Sequence, residues 1–217
     1  MRGGLAALLI GLPIVFLAGG ASAEDRPGAF DFYVLALSWS PSFCLTEARR
    51  GERLQCGSGR SHGFIVHGLW PQHESGWPEF CPSDHPEEPP LSLVQQMLDI
   101  MPSPDLIAHQ WRKHGTCAGL DQAGYFALLR RARERVAVPE PLRTPDRRHY
   151  ASARGLEEAF ITANPGLSAA GIAIACEDGR LREARICLTR QLDFRRCHEV
   201  DRSGCTERRL AVPAPGR

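Results

Sequence analysis

Lysine is almost absent from this chain, and so is net charge. Of the 26 basic residues only Lys113 is a lysine, and the formal net charge at neutral pH is +1. A chain so close to neutrality is not a histone and lacks the broad basic surface of a sequence-specific DNA-binding protein. Any anionic substrate must therefore be captured by local charge. Lys113 stands between His109 and His114, which argues against a surface charge without a role.

Long hydrophobic runs are absent after residue 23. The only such run, residues 5–17, is shorter than the roughly 20 residues that a membrane-spanning helix needs. It follows Arg2 and precedes the small-x-small sequence Ala-Ser-Ala at residues 21–23, as in a secretory signal peptide. We therefore expect residues 1–23 to be a cleaved signal peptide, with an uncleaved anchor as the less favoured alternative. The mature residues 24–217 are then one exported domain without membrane contact.

Cys-x-x-Cys pairs are absent too, which disfavours zinc-ribbon and thioredoxin-like sites. Cysteine itself is plentiful, and all eight cysteines lie in the mature part: Cys44, Cys56, Cys81, Cys117, Cys176, Cys187, Cys197 and Cys205. An even number in an exported chain predicts disulfides throughout. Since such a set allows about 105 pairings, the residues alone leave the connectivity open.

Hydrophobic patterns predict strands near both ends of the mature chain and helices between them. Strands are predicted at residues 30–37, 62–69, 171–177 and 180–189, the last two forming a hairpin around Asp178-Gly179. Helices are predicted at residues 92–101, 104–115, 121–136 and 151–163, with Ser92 and Ser103 as N-caps of the first two. This order predicts a single α+β domain with a central, mostly antiparallel β-sheet flanked by helices.

The second predicted helix gathers polar side chains on one face. At 100° per residue its residues His109, Gln110, Lys113 and His114 fall within about 140° of one another. In the strand at 62–69, alternation places His67 on the face opposite Val66. If that strand packs beside the helix, a third imidazole joins the group.

Such a group suits RNA cleavage without a metal. The ribose 2′-OH needs a base to take its proton, the 5′-oxygen needs an acid, and the phosphorus needs a cation nearby. DNA lacks the 2′-OH and is not cut by this route. Zinc ligation is an alternative, although paired zinc histidines favour i, i+4 spacing and His109 and His114 are five apart. The residues alone also leave purely structural histidines open.

The chain resembles the ribonuclease T2 family. Residues 64–71, Phe-Ile-Val-His-Gly-Leu-Trp-Pro, are similar to its first active-site segment, and residues 109–117, His-Gln-Trp-Arg-Lys-His-Gly-Thr-Cys, to its second. Residues 37–44 resemble its first-strand segment and residues 179–187 its C-terminal strand. The resemblance covers essentially the whole mature chain, and implies that residues 24–217 form an α+β ribonuclease T2-like catalytic domain.

The resemblance implies a role for each matching residue. His114 is the base that activates the 2′-OH, and His67 is the acid that releases the 5′-oxygen. His109 binds phosphate and Lys113 stabilises the transition state. Trp70 stacks on a substrate base, with core packing as the alternative. The implied disulfides are Cys44–Cys56, Cys81–Cys117 and Cys187–Cys197, the last nested inside Cys176–Cys205.

Three positions depart from the family pattern. Gln110 replaces the usual glutamate, which removes a carboxylate that would raise histidine pKa values, so the pH profile or turnover is expected to change. Gln72 stands where an acidic residue often contacts a base, so the base preference is open. Leu106 stands where many members carry an aromatic residue, which weakens stacking at the other base site.

The sequence therefore predicts an exported bacterial endoribonuclease, periplasmic or secreted, and monomeric. It is expected to cleave single-stranded RNA with low base specificity through a 2′,3′-cyclic phosphate, with no metal or other cofactor. Two alternatives come from other classes. One is an RNA-binding member of the same scaffold with impaired catalysis, which Gln110 favours. The other is a zinc hydrolase that uses the histidines.

Overall fold

A computed structural model describes residues 26–47, 53–57, 62–143 and 147–215. The predicted signal peptide at residues 1–23 lies outside the described residues. In the ranges described, no helix has both the length and the apolar character needed to cross a membrane.

One sheet organises the chain. Its strands are β1 (Phe32–Trp39), β2 (Phe64–Gln72), β3 (His149–Ala151), β4 (Ile172–Glu177), β5 (Arg180–Leu188) and β6 (Leu210–Val212). The order is β2-β1-β5-β6-β3, and β4 pairs with β5. Every pairing is antiparallel except the short parallel contact between β5 and β6. The prediction of an α+β domain with a mostly antiparallel sheet is confirmed.

Helices flank this sheet. They are α1 (Ser40–Glu47), α2 (Arg53–Cys56), α3 (Leu91–Met97), α4 (Pro104–Lys113), α5 (Gln122–Arg135), α6 (Glu140–Arg143), α7 (Ala153–Ala163) and α8 (His198–Arg202). Ser103 caps α4 as predicted, because its side chain accepts a hydrogen bond from Leu106 N. The N-cap prediction for Ser92 is wrong. The helix α3 begins one residue earlier, after Pro90, whose extended backbone supplies the entry without a side-chain cap.

The end of α4 also differs from the prediction. The α-helix stops at Lys113, and His114 is its C-cap, with φ −120° and ψ −39°. The chain then tightens into a short 3-10 helix, Gly115–Ala118. His114 therefore lies at the junction of two helices, where its ring direction is set by the turn rather than by ideal α-helical periodicity.

Buried aromatic side chains hold α4 and α5 against β2. Trp111 and Tyr125 are fully buried in the same core. The Tyr125 hydroxyl donates to the Leu69 carbonyl at 2.9 Å, and the Trp111 indole donates to the Pro86 carbonyl at 2.9 Å. Because both polar tips are satisfied, the rings can be buried at little cost and fix α4 beside the strand that carries His67.

Four disulfides cross-link the described residues. The pairs are Cys44–Cys56, Cys81–Cys117, Cys176–Cys205 and Cys187–Cys197. This is the pairing that the family resemblance implies. The Cys81–Cys117 bond ties the irregular segment after β2 to the 3-10 helix after α4, so it links the chain that follows the first active-site segment to the end of the second.

Candidate active site

An irregularity in β2 sets the direction of His67. Gly68 pairs with Ala36, but Val66 pairs with Leu37, so His67 is an extra residue without a partner across the ladder. Such a β-bulge adds one residue to a strand and turns the side chains that follow it.

The bulge places His67 and Trp70 on the same side of β2. Val66 and Leu69 both belong to the core, although two residues three apart would face opposite sides of a regular strand. His67 lies opposite Val66, as the strand alternation predicted. Its ring centroid is 5.2 Å from that of Trp70, in an edge-to-face arrangement.

Trp70 stands at the centre of the site. Its ring stacks on His114 with centroids 5.3 Å apart and planes inclined by 29°. Its indole nitrogen donates to Gln110 Oε1 at 2.9 Å. The ring is partly buried and packs against a small apolar cluster that includes Val34 and Cys187. Trp70 thus lies between the two predicted proton-transfer histidines and fixes their spacing.

Gln110 is almost completely buried, with 1% of its surface exposed. Its place depends on Gly68, because a Cβ there would lie within 2.7 Å of Gln110 and Trp70 side-chain atoms. The amide oxygen of Gln110 accepts the hydrogen bond from the Trp70 indole, as a carboxylate oxygen at this position would. What the amide does not supply is negative charge beside His114.

His114 is buried at a site that disfavours its charged form. Burial, followed by the charges of Lys113, His67 and His109, lowers the pKa of His114 to about 3. Its Nδ1 is enclosed and has no hydrogen-bond partner among the described residues. The ring is therefore neutral at physiological pH, the protonation state in which an imidazole can act as a general base.

His109 and Lys113 lie one turn apart along α4, toward the surface. Burial and then the charge of Lys113 lower the pKa of His109, with smaller effects from Arg112 and His67. Lys113 Nζ lies 3.2 Å from the carboxylate of Glu79, with about a third of its side chain exposed. The structure thus brings His67, His109, Gln110, Lys113 and His114 together, as the helix periodicity and the strand alternation suggested.

Sequence reasoning missed Glu183. This residue of β5 is 2% exposed, and its Oε1 lies 2.6 Å from His67 Nδ1. Its other oxygen accepts from Arg185 Nε at 2.7 Å. Although burial, the largest influence, raises its pKa, the hydrogen bonds and charges of His67 and Arg185 hold the pKa of Glu183 below its ordinary value. The sequence signal that could have found it was its place within residues 179–187, the segment that resembles the family's C-terminal strand.

Two cavities flank the histidines. His67 and His109 line both of them. The first, about 460 Å³, includes Leu106. The second, about 490 Å³, includes Trp70 and Gln72. The predicted base-contact residues are therefore divided between two cavities that share His67 and His109.

The histidines of the site form no cluster with metal-ligand spacing among the described residues. Within the described ranges, one cluster of cysteine and carboxylate ligands is close enough, formed by Cys176, Cys205 and Glu207. Its two cysteines are joined in a disulfide, so they are not thiolate ligands.

Both the sequence and the fold of this chain are similar to those of known ribonucleases. The sequence model of the Ribonuclease T2 family matches residues 30–197, which contain both histidine segments. The chain belongs to the ribonuclease T2 family. A ribonuclease of Aeromonas hydrophila is 31% identical over 85% of this chain and 84% of its own length. A probable ribonuclease of Haemophilus influenzae is 43% identical over 48% of this chain and 42% of its own length.

Solved structures agree on the fold. RNase NT, crystallised in complex with 5′-AMP, has a TM-score of 0.69 at 23% identity, covering 85% of this chain and 98% of RNase NT. An RNase-related protein from Calystegia sepium has a TM-score of 0.66 at 21% identity, covering 85% of this chain and 97% of that protein. The fold is thus that of the T2 ribonucleases.

Proposed function

We propose that this T2-type endoribonuclease cleaves single-stranded RNA by metal-independent transphosphorylation, with His114 as base and His67 as acid. The observation that carries the proposal is the contrast between the two rings on either side of Trp70. His114 is buried and neutral, whereas His67 is half-buried and paired with the carboxylate of Glu183. One group ready to accept a proton and one beside a negative charge are what general acid–base catalysis requires.

In the proposed reaction one histidine takes a proton from the 2′-hydroxyl and the other gives a proton to the 5′-oxygen. The 2′-oxygen attacks phosphorus while its proton passes to His114, through Nε2 because Nδ1 is enclosed. The bond from phosphorus to the 5′-oxygen breaks, and that oxygen takes a proton from Nε2 of His67, since Nδ1 faces Glu183. The products are a 2′,3′-cyclic phosphate and a free 5′-hydroxyl. Lys113 and His109 stabilise the charge on the phosphoryl oxygens.

The substrate class follows from the two cavities. Each is large enough for a nucleoside, and His67 and His109 line both, so the nucleosides on either side of one phosphate have separate places. Such an arrangement needs an unpaired strand. Stacking on aromatic surfaces tolerates every base, so we propose low base specificity. The nucleotide bound to RNase NT supports a nucleotide site on this fold.

The decisive experiment is RNA cleavage in EDTA by the mature protein and by His67→Ala and His114→Ala. We expect the parent to produce 2′,3′-cyclic phosphate, detected by ³¹P NMR. Each variant should lose at least about 100-fold in rate, the usual contribution of a general acid or base. His149→Ala on the short strand β3 serves as the matched control and should cleave like the parent. Loss of the parent's activity in EDTA would instead support the zinc alternative.

A non-catalytic RNA-binding role is the second candidate, and the neutral amide at Gln110 is the observation that favours it. Binding of single-stranded RNA without any cleavage would establish that role.

Both roles are compatible with our proposal that residues 1–23 direct export to the periplasm or the medium and that the mature protein is a monomer. N-terminal sequencing of the secreted or periplasmic protein should begin at Glu24, and light scattering should give the mass of one chain.

A further inference from the structure

Glu183 is the only acidic side chain that is buried in the described part of the chain. The proposed mechanism notes its pairing with His67 but assigns Glu183 no role of its own. A buried carboxylate is costly unless it is paired and hydrogen-bonded, so its retention inside a catalytic centre calls for a reason.

Both oxygens of Glu183 are committed to named partners. Oε1 lies 2.6 Å from Nδ1 of His67, and Oε2 accepts from the Arg185 guanidinium at 2.7 Å. Arg185 in turn lies over the Trp70 ring, 5.5 Å from its centroid. The carboxylate is therefore held from one side by Arg185 and presents its other oxygen to His67.

Strand order explains how this contact arises. In the sheet, β1 lies between β2 and β5, and Glu183 of β5 pairs with Ser38 of β1. His67 is the extra residue of the bulge on the far side of β1. The carboxylate reaches across β1 to the ring that the bulge has turned toward the site.

We propose that Glu183 is a positioning residue for the acid step. It holds the proton on Nδ1 of His67, orients the ring, and stabilises the positive charge that the acid carries before it releases its Nε2 proton to the 5′-oxygen. This inference rests on the proposed function of His67. An analogous carboxylate orients the base histidine of serine proteases. On the other histidine the corresponding negative charge is missing, because position 110 is glutamine.

The experiment compares two substrates with Glu183→Gln. A dinucleoside phosphate expels a ribose alkoxide, which needs an acid, whereas a uridine 3′-(4-nitrophenyl phosphate) expels a nitrophenolate that needs none. We expect Glu183→Gln to lose about 10-fold or more on the dinucleoside and less than about 3-fold on the nitrophenyl ester. Glu158→Gln, which removes an exposed charge paired with Arg154 on α7, is the control and should lose nothing on either.

The two substrates distinguish a failure of the role proposed for Glu183 from a failure of the proposed function. An equal loss on both substrates, or no loss, overturns the proposal, while a parent that cleaves neither substrate overturns the proposed function instead. Should Glu183→Gln not fold, ¹⁵N-histidine NMR of the parent replaces it. The Nδ1 signal of His67, identified by its absence in His67→Ala, should carry a directly bonded, strongly downfield proton. An unprotonated Nδ1 overturns the proposal.

Discussion

At the scale of single residues, Gln110 places an uncharged amide one helical turn before His114. The side chain is buried and accepts from Trp70, so Gln110→Glu keeps that hydrogen bond and adds a negative charge near His114. The charge raises the pKa of His114, which makes it a stronger base. We expect the acid limb of the pH–rate profile to move to higher pH by about one unit, and kcat to rise.

The measurement for this change is kcat on a dinucleoside phosphate from pH 3 to 8. Gln95→Glu, an exposed position on α3, introduces the same charge away from the site and should leave the profile unchanged. Superimposable profiles for the parent and Gln110→Glu would show that position 110 does not tune the base.

His114 also links stability to pH. Its pKa is about 3 in the folded protein and about 6.5 when unfolded, so between these values the unfolded chain binds more protons. The stability associated with the neutral ring is present above pH 6.5 and is lost as the pH falls toward 3. By pH 5 this linkage lowers the free energy of unfolding by about 2 kcal/mol.

Urea denaturation at pH 7 and pH 5 tests this linkage. His114→Gln removes the titrating group, so its free energy of unfolding should fall less than that of the parent over the same interval. Equal decreases in the two proteins would contradict the depressed pKa of His114.

At the scale of the elements, the bulge in β2 and Gly68 after it allow the side chain of Gln110 on α4 to approach the strand closely. Gly68→Ala adds a methyl group that meets the amide of Gln110 and the indole nitrogen of Trp70. We expect it to break the hydrogen bond between them and to displace Trp70 from His114. Such overpacking costs about 1–3 kcal/mol of stability, and we expect activity to fall at least about 10-fold.

The matched control for this substitution is Gly155→Ala on α7. There an added methyl group meets only the Ser152 hydroxyl, so activity should be unchanged. Thermal unfolding and RNA cleavage measured together separate the two effects. A Gly68→Ala protein with the parent's activity would show that Trp70 need not be held by Gln110.

At the scale of the whole molecule, Cys81–Cys117 closes a separation of 36 residues, against 10 for Cys187–Cys197. The chain-entropy model gives about 4 kcal/mol for the longer loop and about 3 kcal/mol for the shorter. Replacing both cysteines of Cys81–Cys117 by alanine should therefore lower the urea midpoint of unfolding more than the same replacement of Cys187 and Cys197. We also expect it to reduce activity, because Phe80 N donates to the Lys113 carbonyl beside this bond.

The control is the double alanine variant of Cys187–Cys197, studied by the same denaturation and cleavage assays. If its midpoint falls as far as that of the first variant, loop length does not determine how much each disulfide stabilises the fold.

The sequence was sufficient for the general architecture and for most of the site. Period-two and period-3.6 patterns located β1, β2, β4, β5 and the main helices but not the short strands β3 and β6, and the cap at Ser103 was recognisable because local hydrogen bonding produces it. The hairpin turn was equally local, since Asp178 and Gly179 both adopt positive φ. The missed end of α4 at Lys113 depended on the packing of the following turn, which periodicity does not contain.

By itself, the sequence determined the chemistry that is available: three histidines and one lysine in two short segments, with a neutral glutamine next to one of the histidines. Only the tertiary structure decided how these groups are tuned. It buries His114, and it brings Glu183 to His67 from more than 100 residues away along the chain. Burial and long-range pairing arise from strand order and packing between distant segments, and no local pattern records them.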